Sequence, residues 1–369
     1  MQYDLTALAI SMAYPNNKVI IDDDGIPSIF VYFKKQKLSD LLNTSDNSTH
    51  PAFIVNGKEI DGFWMGKYLT SVNGGKFASL PAMDPAHDIQ HQDLVKRSFD
   101  KGKGWHTTTL AEWAFIALYC KKNGYIPLGN TNYGRDDSET LYQAIPSSYD
   151  NGQTGRTLTG TGPKSWYHNN DMSGVADLTG NVWEAVSGFR TVYGEIQVLP
   201  NNDASDVDNP MNETSTLWKA IDATTGEFVT PENTVSMKLE DTYSHAKTVK
   251  LAFDSSANKW YYTNQLSADK VKDGHWCAFA DVYAAETVKD TAKLKLRALT
   301  LLPDDGASSS DYGSDSIGLN NNQAERIAWK GGNWGIRSSA GPFHLNAFGS
   351  RSAGRWDGGA RLAYREDNQ

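Results

Sequence analysis

The clearest helix signature in this chain is short, and the sequence around it constrains the fold more than the helix does. It runs from Thr109 to about Asn123. Thr109 and Glu112 form a capping box; Leu110, Trp113, Ala117 and Cys120 share one face; Lys121 and Lys122 suit the negative end of the dipole; Gly124 ends the run. After it come some fifty residues broken by Gly, Asn, Asp and Thr, including "GNTNYGRDD" (129–137), "TGRTLTGTGPKSWYHNND" (154–171) and "GVADLTGNVWEAVSG" (174–188). With 32 Gly and many Asn, Asp, Ser and Thr, turns and short strands dominate, and the expected class is a loop-rich α+β fold.

Lys18 to Ile21 and Ser28 to Phe33 are apolar runs around Asp22-Asp23-Asp24-Gly25 and read as a hairpin. Gly62 to Leu69 reads as a buried strand, and Asp84-Pro85 opens a second expected helix through Phe99. Runs such as Thr248 to Phe253 and Lys259 to Thr263, around residues 255–258, suggest a β-rich insertion over about 209–301. Ala307 to Asn322 reads as a flexible lead-in to the last segment. The expected division is an N-terminal hairpin region, 1–60, integral to a larger domain, 61–369, that carries the insertion.

The formal charge of -9, with 24 Lys and 11 Arg spread without clusters, argues against a surface built to neutralise phosphate, so nucleic acid is not an expected partner. The mildly apolar stretch Leu5 to Tyr14 has no preceding Lys or Arg and is too short to span a bilayer, so neither signal peptide nor membrane insertion is expected. Cys120 and Cys277 could form at most one bridge, and two buried thiols are the preferred reading.

Several groups invite a metal and are better read without one. His87 and His91 stand four apart, a spacing that suits two ligands on a helix face, but no HExxH acid accompanies them. The clustered acids of 22–24 and 203–208 are better explained as turns. No GxSxG, Walker or Rossmann pattern occurs, and no catalytic residue is assigned.

Near the C-terminus, Gly331 to Arg365 contains no Lys, Glu, Gln or Met, although these types fill roughly one position in seven of the whole chain.

Three ordered motifs carry a resemblance at the level of fold. "GWHTTTLAEWAFIAL" (104–118), "ADLTGNVWEAVSG" (176–188) and "RIAWKGGNW" (326–334) resemble the signature segments of the formylglycine-generating-enzyme type of C-type lectin fold. The signature has a physical logic: Gly180 permits a tight turn, Asn181 and Glu184 can tie down loop backbone, and Trp183 buries a large surface between loops. In the family's enzymes the corresponding region also contributes to a calcium site. The resemblance therefore allows calcium near Asn181 and Glu184, with no cofactor required. Those enzymes use two thiols where this chain has Ile336 and Gly341, which implies a non-catalytic user of the fold.

"GNTNYGR", "TGTGPKSWYH" and "GGNW…GSRSA…GGARLA" resemble a further family, the variable proteins of diversity-generating retroelements, which includes phage tropism determinants. In that family the C-terminal part is rewritten at adenines in AAC- or AAT-like codons, which cannot become Lys, Glu, Gln, Met or Trp while the third base stays a pyrimidine. The compositional gap fits that spectrum. Carried over position by position, the resemblance implies that Gly335, Ile336, Arg337, Ser339, His344, Asn346, Phe348, Gly349, Ala353, Arg355 and Asp357 form the variable, ligand-binding set. Phe348, Arg355, His344 and Ile336 would be the main energetic anchors. Ser338, Ser352, Trp356 and Arg361 match constant positions, and Trp113, Asn181, Trp183, Glu184, Trp334, Trp356 and Arg361 are the expected structural anchors. Pro342-Phe343, and Gly358 where Ile is common, depart from the pattern.

The expected function is then receptor binding at a phage tail-fibre tip, with a host surface protein or glycan and other tail-fibre proteins as partners. Homotrimer formation is expected on analogy alone. The alternatives are an oxidase-like enzyme with altered chemistry and a fixed structural tail protein.

Overall fold

The computed structural model describes residues 5–141 and 143–366; residues 1–4, 142 and 367–369 of the expected domain ranges lie outside the described residues. A helix, α1 (Leu5–Ala13), leads into the hairpin β1 (Asn17–Ile21) and β2 (Pro27–Lys34), and β3 (Gly62–Gly66) pairs with β2. The hairpin turn is closed by Asp22, whose carboxylate accepts from the Asp24 and Ile26 amides and pairs with Lys101. That accounts for the acidic triplet without a metal.

The expected Asp84–Phe99 helix is shorter than its pattern suggests. Residues 89–90 form strand β4 (Ile89–Gln90), and helix α2 begins only at His91 (His91–Phe99). Asp88 sits at φ +56 and its N–H donates to the Arg355 carbonyl, so the lead-in is spent on pairing with the C-terminal segment. His87 therefore lies off the helix beside Asp84 and Asp88, while His91 is buried with Nε2 at the Val186 carbonyl.

Strand β5 (Trp105–Thr107) precedes α3 (Leu110–Lys122), whose capping box forms as expected, with Thr109 Oγ1 and Glu112 each accepting from the other's amide at 3.1 and 3.0 Å. The expectation of one apolar face was too narrow: α3 is buried on nearly every side, and even Glu112 is covered, held by His106 and Asn202.

The longer strands that follow in chain order are β6 (Trp183–Val192), β7 (Glu195–Val198), β8 (Lys250–Asp254), β9 (Lys259–Thr263) and β10 (His275–Ala278). Helix α4 (Asp290–Ala298) follows, then β11 (Ser316–Leu319), β12 (Arg326–Lys330), β13 (Leu345–Asn346), β14 (Gly354–Arg355), β15 (Gly358–Ala360) and β16 (Leu362–Tyr364). One sheet has the order β1-β2-β3-β16-β5; the larger has β10-β11-β13-β12-β6-β7-β8-β9, with Tyr283–Ala284 beyond β9.

Segment 209–301 is strand-rich, and its strands extend the main sheet, while Phe253, Trp260, Tyr262 and Leu296 join the same apolar core as α3. The stretch 307–322, expected to be a flexible lead-in, contains β11, which lies between β10 and β13. Its many Ser, Gly and Asn residues hid the short apolar run Ile317 to Leu319. Cys120 is buried, Cys277 is half-buried, and both thiols are free.

The last thirty residues stitch the fold together. β13 sits inside the large sheet, β14 pairs with β4, β15 runs parallel to β6, and β16 lies between β3 and β5 in the small sheet. A segment with partners on both sheets has little freedom to move its backbone, whatever its side chains are.

Candidate binding surface

Between residues 343 and 348 the side chains alternate. Phe343, Leu345 and Ala347 enter the main core, with Phe343 against Phe279 and Tyr312, and the even-numbered residues face the other way. His344 lies against the Trp183 ring at 4.7 Å and the Trp276 ring at 5.2 Å, and Phe348 meets Trp276 edge-on at 5.1 Å. The Arg355 guanidinium stands 5.3 Å from the Trp183 ring and makes a bidentate pair with Asp357, both contacts at 2.9 Å. Asp357 also accepts from Trp183 Nε1 at 3.2 Å and from Asn333 Nδ2 at 2.8 Å. Ile336 packs against the cluster that contains Trp183 and Trp329.

The four expected anchors, Ile336, His344, Phe348 and Arg355, and Asp357 of the same set therefore lie around Trp183 and Trp276, but at two depths. His344 is 1% exposed and Asp357 5%, so they form a floor. Arg355, with 30% of its side chain exposed, and the half-buried Phe348 form a rim with Trp276, which is 41% exposed. The expectation that His344, Asn346 and Asp357 present themselves to a ligand needs correcting. β13 is an interior strand, and Trp276 of the neighbouring 209–301 segment lies over His344. Asn346 turns its Oδ1 back to the Phe348 amide.

The other members of the set surround this recess. Arg337 is exposed, holds φ +57, and lies 3.9 Å from Asp137, with its N–H donating to the Thr131 carbonyl. Gly335 faces Tyr133, and Ser339 accepts from His344 Nδ1 through its carbonyl. The "GNTNYGR" loop thus buttresses 334–337. Gly349 and Ala353 act mainly through backbone, their carbonyls accepting from Ile327 and His91.

Beneath the rim is a clamp. Arg361 is fully buried, makes two contacts of 2.8 Å to Glu184, and donates to the carbonyls of Gly66 and Asp177. Burial pushes the Glu184 carboxyl up to about 7 against the pull of Arg361. Trp113 Nε1 donates to Pro342 O at 2.7 Å and fixes the turn before Phe343. Asn181, at φ +63, accepts from the Thr157 amide and donates to the Thr157 carbonyl. Gly180 is required beside it, since a Cβ there would sit 2.1 Å from Asn130 O.

These partners also test the calcium expectation. Glu184 is occupied by a guanidinium and Asn181 by loop backbone, so the pair does not fit a calcium ion as it stands. Among the described residues no group of three or more His, Cys, Asp or Glu is placed to hold a metal. Two of the 203–208 acids are likewise engaged, Asp203 by the Asn56 amide and Asp206 by Arg365.

Trp334 is buried as expected of an anchor, but Trp356 is 52% exposed, resting edge-on against Trp334 at 4.8 Å. Trp356 and Asp357 form the turn between β14 and β15, which buries Asp357 and leaves Trp356 outward.

Below the floor, Asp315 accepts from the Phe343 amide, and burial raises its carboxyl to about 8. Burial lowers neighbouring Lys330 to about 7 and His344 to about 3, so His344 is neutral. An apolar cavity of about 370 Å³ lies elsewhere, between α2, β6 and the 207–218 loop; from the C-terminal segment it draws on Arg351, which is committed to Glu325.

Sequence reasoning missed Trp276. The "HWCA" run reads like any strand carrying one aromatic, and only the sheet order brings it beside residues 344–348.

No family model matches the chain. No curated protein matches it either. Among solved structures, it is similar to a Major Tropism Determinant U1 variant, with 12% identity and a TM-score of 0.30, over 94% of this chain and 70% of that one. It is also similar to a P3c variant of the same determinant, with 10% identity and a TM-score of 0.30, over 95% and 72% of the two chains. No described helix is long and apolar enough to cross a membrane.

Proposed function

We propose that this chain is a non-catalytic binding protein whose C-terminal segment displays exchangeable side chains on a rigid α+β scaffold of C-type lectin type. The target is a receptor on a host cell surface, and the setting is a phage tail fibre, where several copies, as in a trimer, add avidity. The observation that carries the reading is the division of residues 331–365 into a clamped backbone and an open rim. Arg361, Trp113 and the β-ladders hold the chain, while the side chains of Phe348, Arg355 and Ile336 are only partly buried, that of Arg337 is exposed, and Arg355 pairs within its own segment. A pre-ordered backbone lowers the entropy lost on binding and lets side chains change without refolding the site. The calcium and thiol chemistry of the related enzymes has no part in this reading.

Binding of the labelled full chain to a panel of intact bacteria tests it, with Phe348→Ser and Arg355→Ala compared to the parent. The expected result is adhesion to a subset of strains that both substitutions reduce. Adhesion to none, or adhesion that neither substitution changes, overturns it. Sequencing the same locus in sibling phages tests the exchangeable set, which should vary at positions such as 336, 348 and 355 and be constant at 113, 184 and 361.

A further inference from the structure

We infer that Trp276 is a fixed stacking platform for a pyranose ring, so that the surface takes a glycan without calcium, the 209–301 segment supplying the constant half of the site and residues 331–365 the changing half. The inference rests on the binding role proposed above and names its ligand class.

Trp276 lies on the edge strand β10, paired opposite Gly318, and its ring covers that glycine: a Cβ on Gly318 would fall 2.6 Å from the indole. Phe348 meets the same ring edge-on, and His344 supports it from below at 5.2 Å. A large aromatic ring held this way loses little freedom when a ligand covers it. Over the adjoining Trp183 ring stands Arg355, whose partly exposed guanidinium, fixed by Asp357, offers donors to a sugar hydroxyl. At the floor, His344 Nε2 is buried and has no hydrogen-bond partner. Its ring is neutral, with Nδ1 donating to Ser339 O, so it is a fixed, uncharged support beneath the indole.

The balance of apolar and polar groups favours a sugar over a protein face. Stable protein interfaces bury about 800 Å² on each side around a broad apolar core. Here the exposed apolar surface is one indole, part of a phenyl ring and part of Ile336, with the Arg355 guanidinium among them. That matches one face of a pyranose, whose C–H groups present an apolar side and whose hydroxyls ring the edge.

The test uses the full chain on an array of immobilised hexose and N-acetylhexosamine oligosaccharides, with tryptophan fluorescence during titration by the best free sugar, with and without EDTA. The expected result is saturable, EDTA-insensitive binding. Trp276→Ala should weaken it about tenfold or more, and Trp276→Phe should retain most of it. Gly318→Ala, which displaces the ring without removing it, should weaken it as Trp276→Ala does. Tyr283→Ala, at the opposite end of the sheet, should leave it unchanged. Cell adhesion that persists without binding to any saccharide overturns the glycan class while leaving the binding role intact, and assigns the rim to a protein. Glycan binding that needs calcium, or that Trp276→Ala and Gly318→Ala leave unaltered, overturns the platform. Absence of both cell and glycan binding defeats the binding role itself.

Discussion

The clamp and the rim occupy the same thirty-five residues, yet they are built from different interactions. Arg361 spends its guanidinium on two carboxylate oxygens and two carbonyls in full burial, and Trp113 donates to Pro342 O. Phe348, by contrast, touches Trp276 through ring contact, and Arg355 is satisfied within its own segment by Asp357. Directional bonds in a dry interior fix a backbone, whereas ring contacts and a local ion pair accept replacement. The difference teaches how one segment can be both structurally fixed and chemically replaceable.

The sharpest way to break this contrast is to remove the clamp. Arg361→Ala leaves Glu184 buried without its partner and strands two carbonyls, a type of change that costs about 3–5 kcal/mol. Chemical denaturation should show that loss, and native conditions should show β16 and β15 released together, since both flank residue 361. A loss below about 1 kcal/mol would mean that the ladders alone hold the segment.

How much of this division was legible beforehand differs between its halves. Arg361, Trp113, Trp183, Glu184 and Trp334 stood in recognisable motifs and are buried where anchors belong. Helix α3, the hairpin and the 250–263 strands followed from capping, alternation and turn residues, all local signals. The rim was legible only in part, because exposure depends on neighbours distant in sequence. Nothing local says that His344 is roofed by Trp276, or that β4 breaks an expected helix to pair with Arg355. Trp356 misled for a related reason: a tryptophan in a motif suggests burial, and the turn between β14 and β15 that buries Asp357 leaves it outward.

The pH dependence of stability reports on the floor and on the carboxyl beneath it. His344 has a folded pKa near 3, below its ordinary value near 6.5, because burial disfavours the charged ring. Its contribution to stability is therefore complete above about 6.5 and is lost as the pH falls toward the folded value, by about 1.4 kcal/mol per unit. Asp315, raised from near 3.8 to about 8, works the other way: its contribution is complete below about 4 and is lost as the pH rises from there toward 8. His344→Gln should flatten the acid limb of the stability curve between pH 6.5 and 4 and leave the alkaline limb alone. An unchanged acid limb would mean that His344 is hydrated and charged in the folded protein.

Asp357 is the joint between the two regions, since it holds Arg355 on the rim, Asn333 beside it and Trp183 beneath. Asp357→Ala leaves Trp183 Nε1 without an acceptor in a buried place, at a cost of roughly 1–3 kcal/mol. It should also weaken ligand binding by freeing Arg355. Restoration of stability by Asp357→Asn, with Arg355 still released, would separate the two effects.

The smallest effect on folding belongs to Phe348→Ser. The ring is half-buried and its main aromatic partner is Trp276, so truncation removes an edge contact and some apolar area, worth about 1 kcal/mol. The Phe348 N–H still reaches Asn346 Oδ1, and the β13 ladder bonds use no atom of the side chain, so the backbone has no reason to move. Binding should respond far more than stability, because the lost ring borders the surface a ligand covers. Thermal denaturation and adhesion measured on the same preparation give both readings. If Phe348→Ser cost as much stability as Arg361→Ala, the rim would be core, and the segment could not exchange its side chains without unfolding.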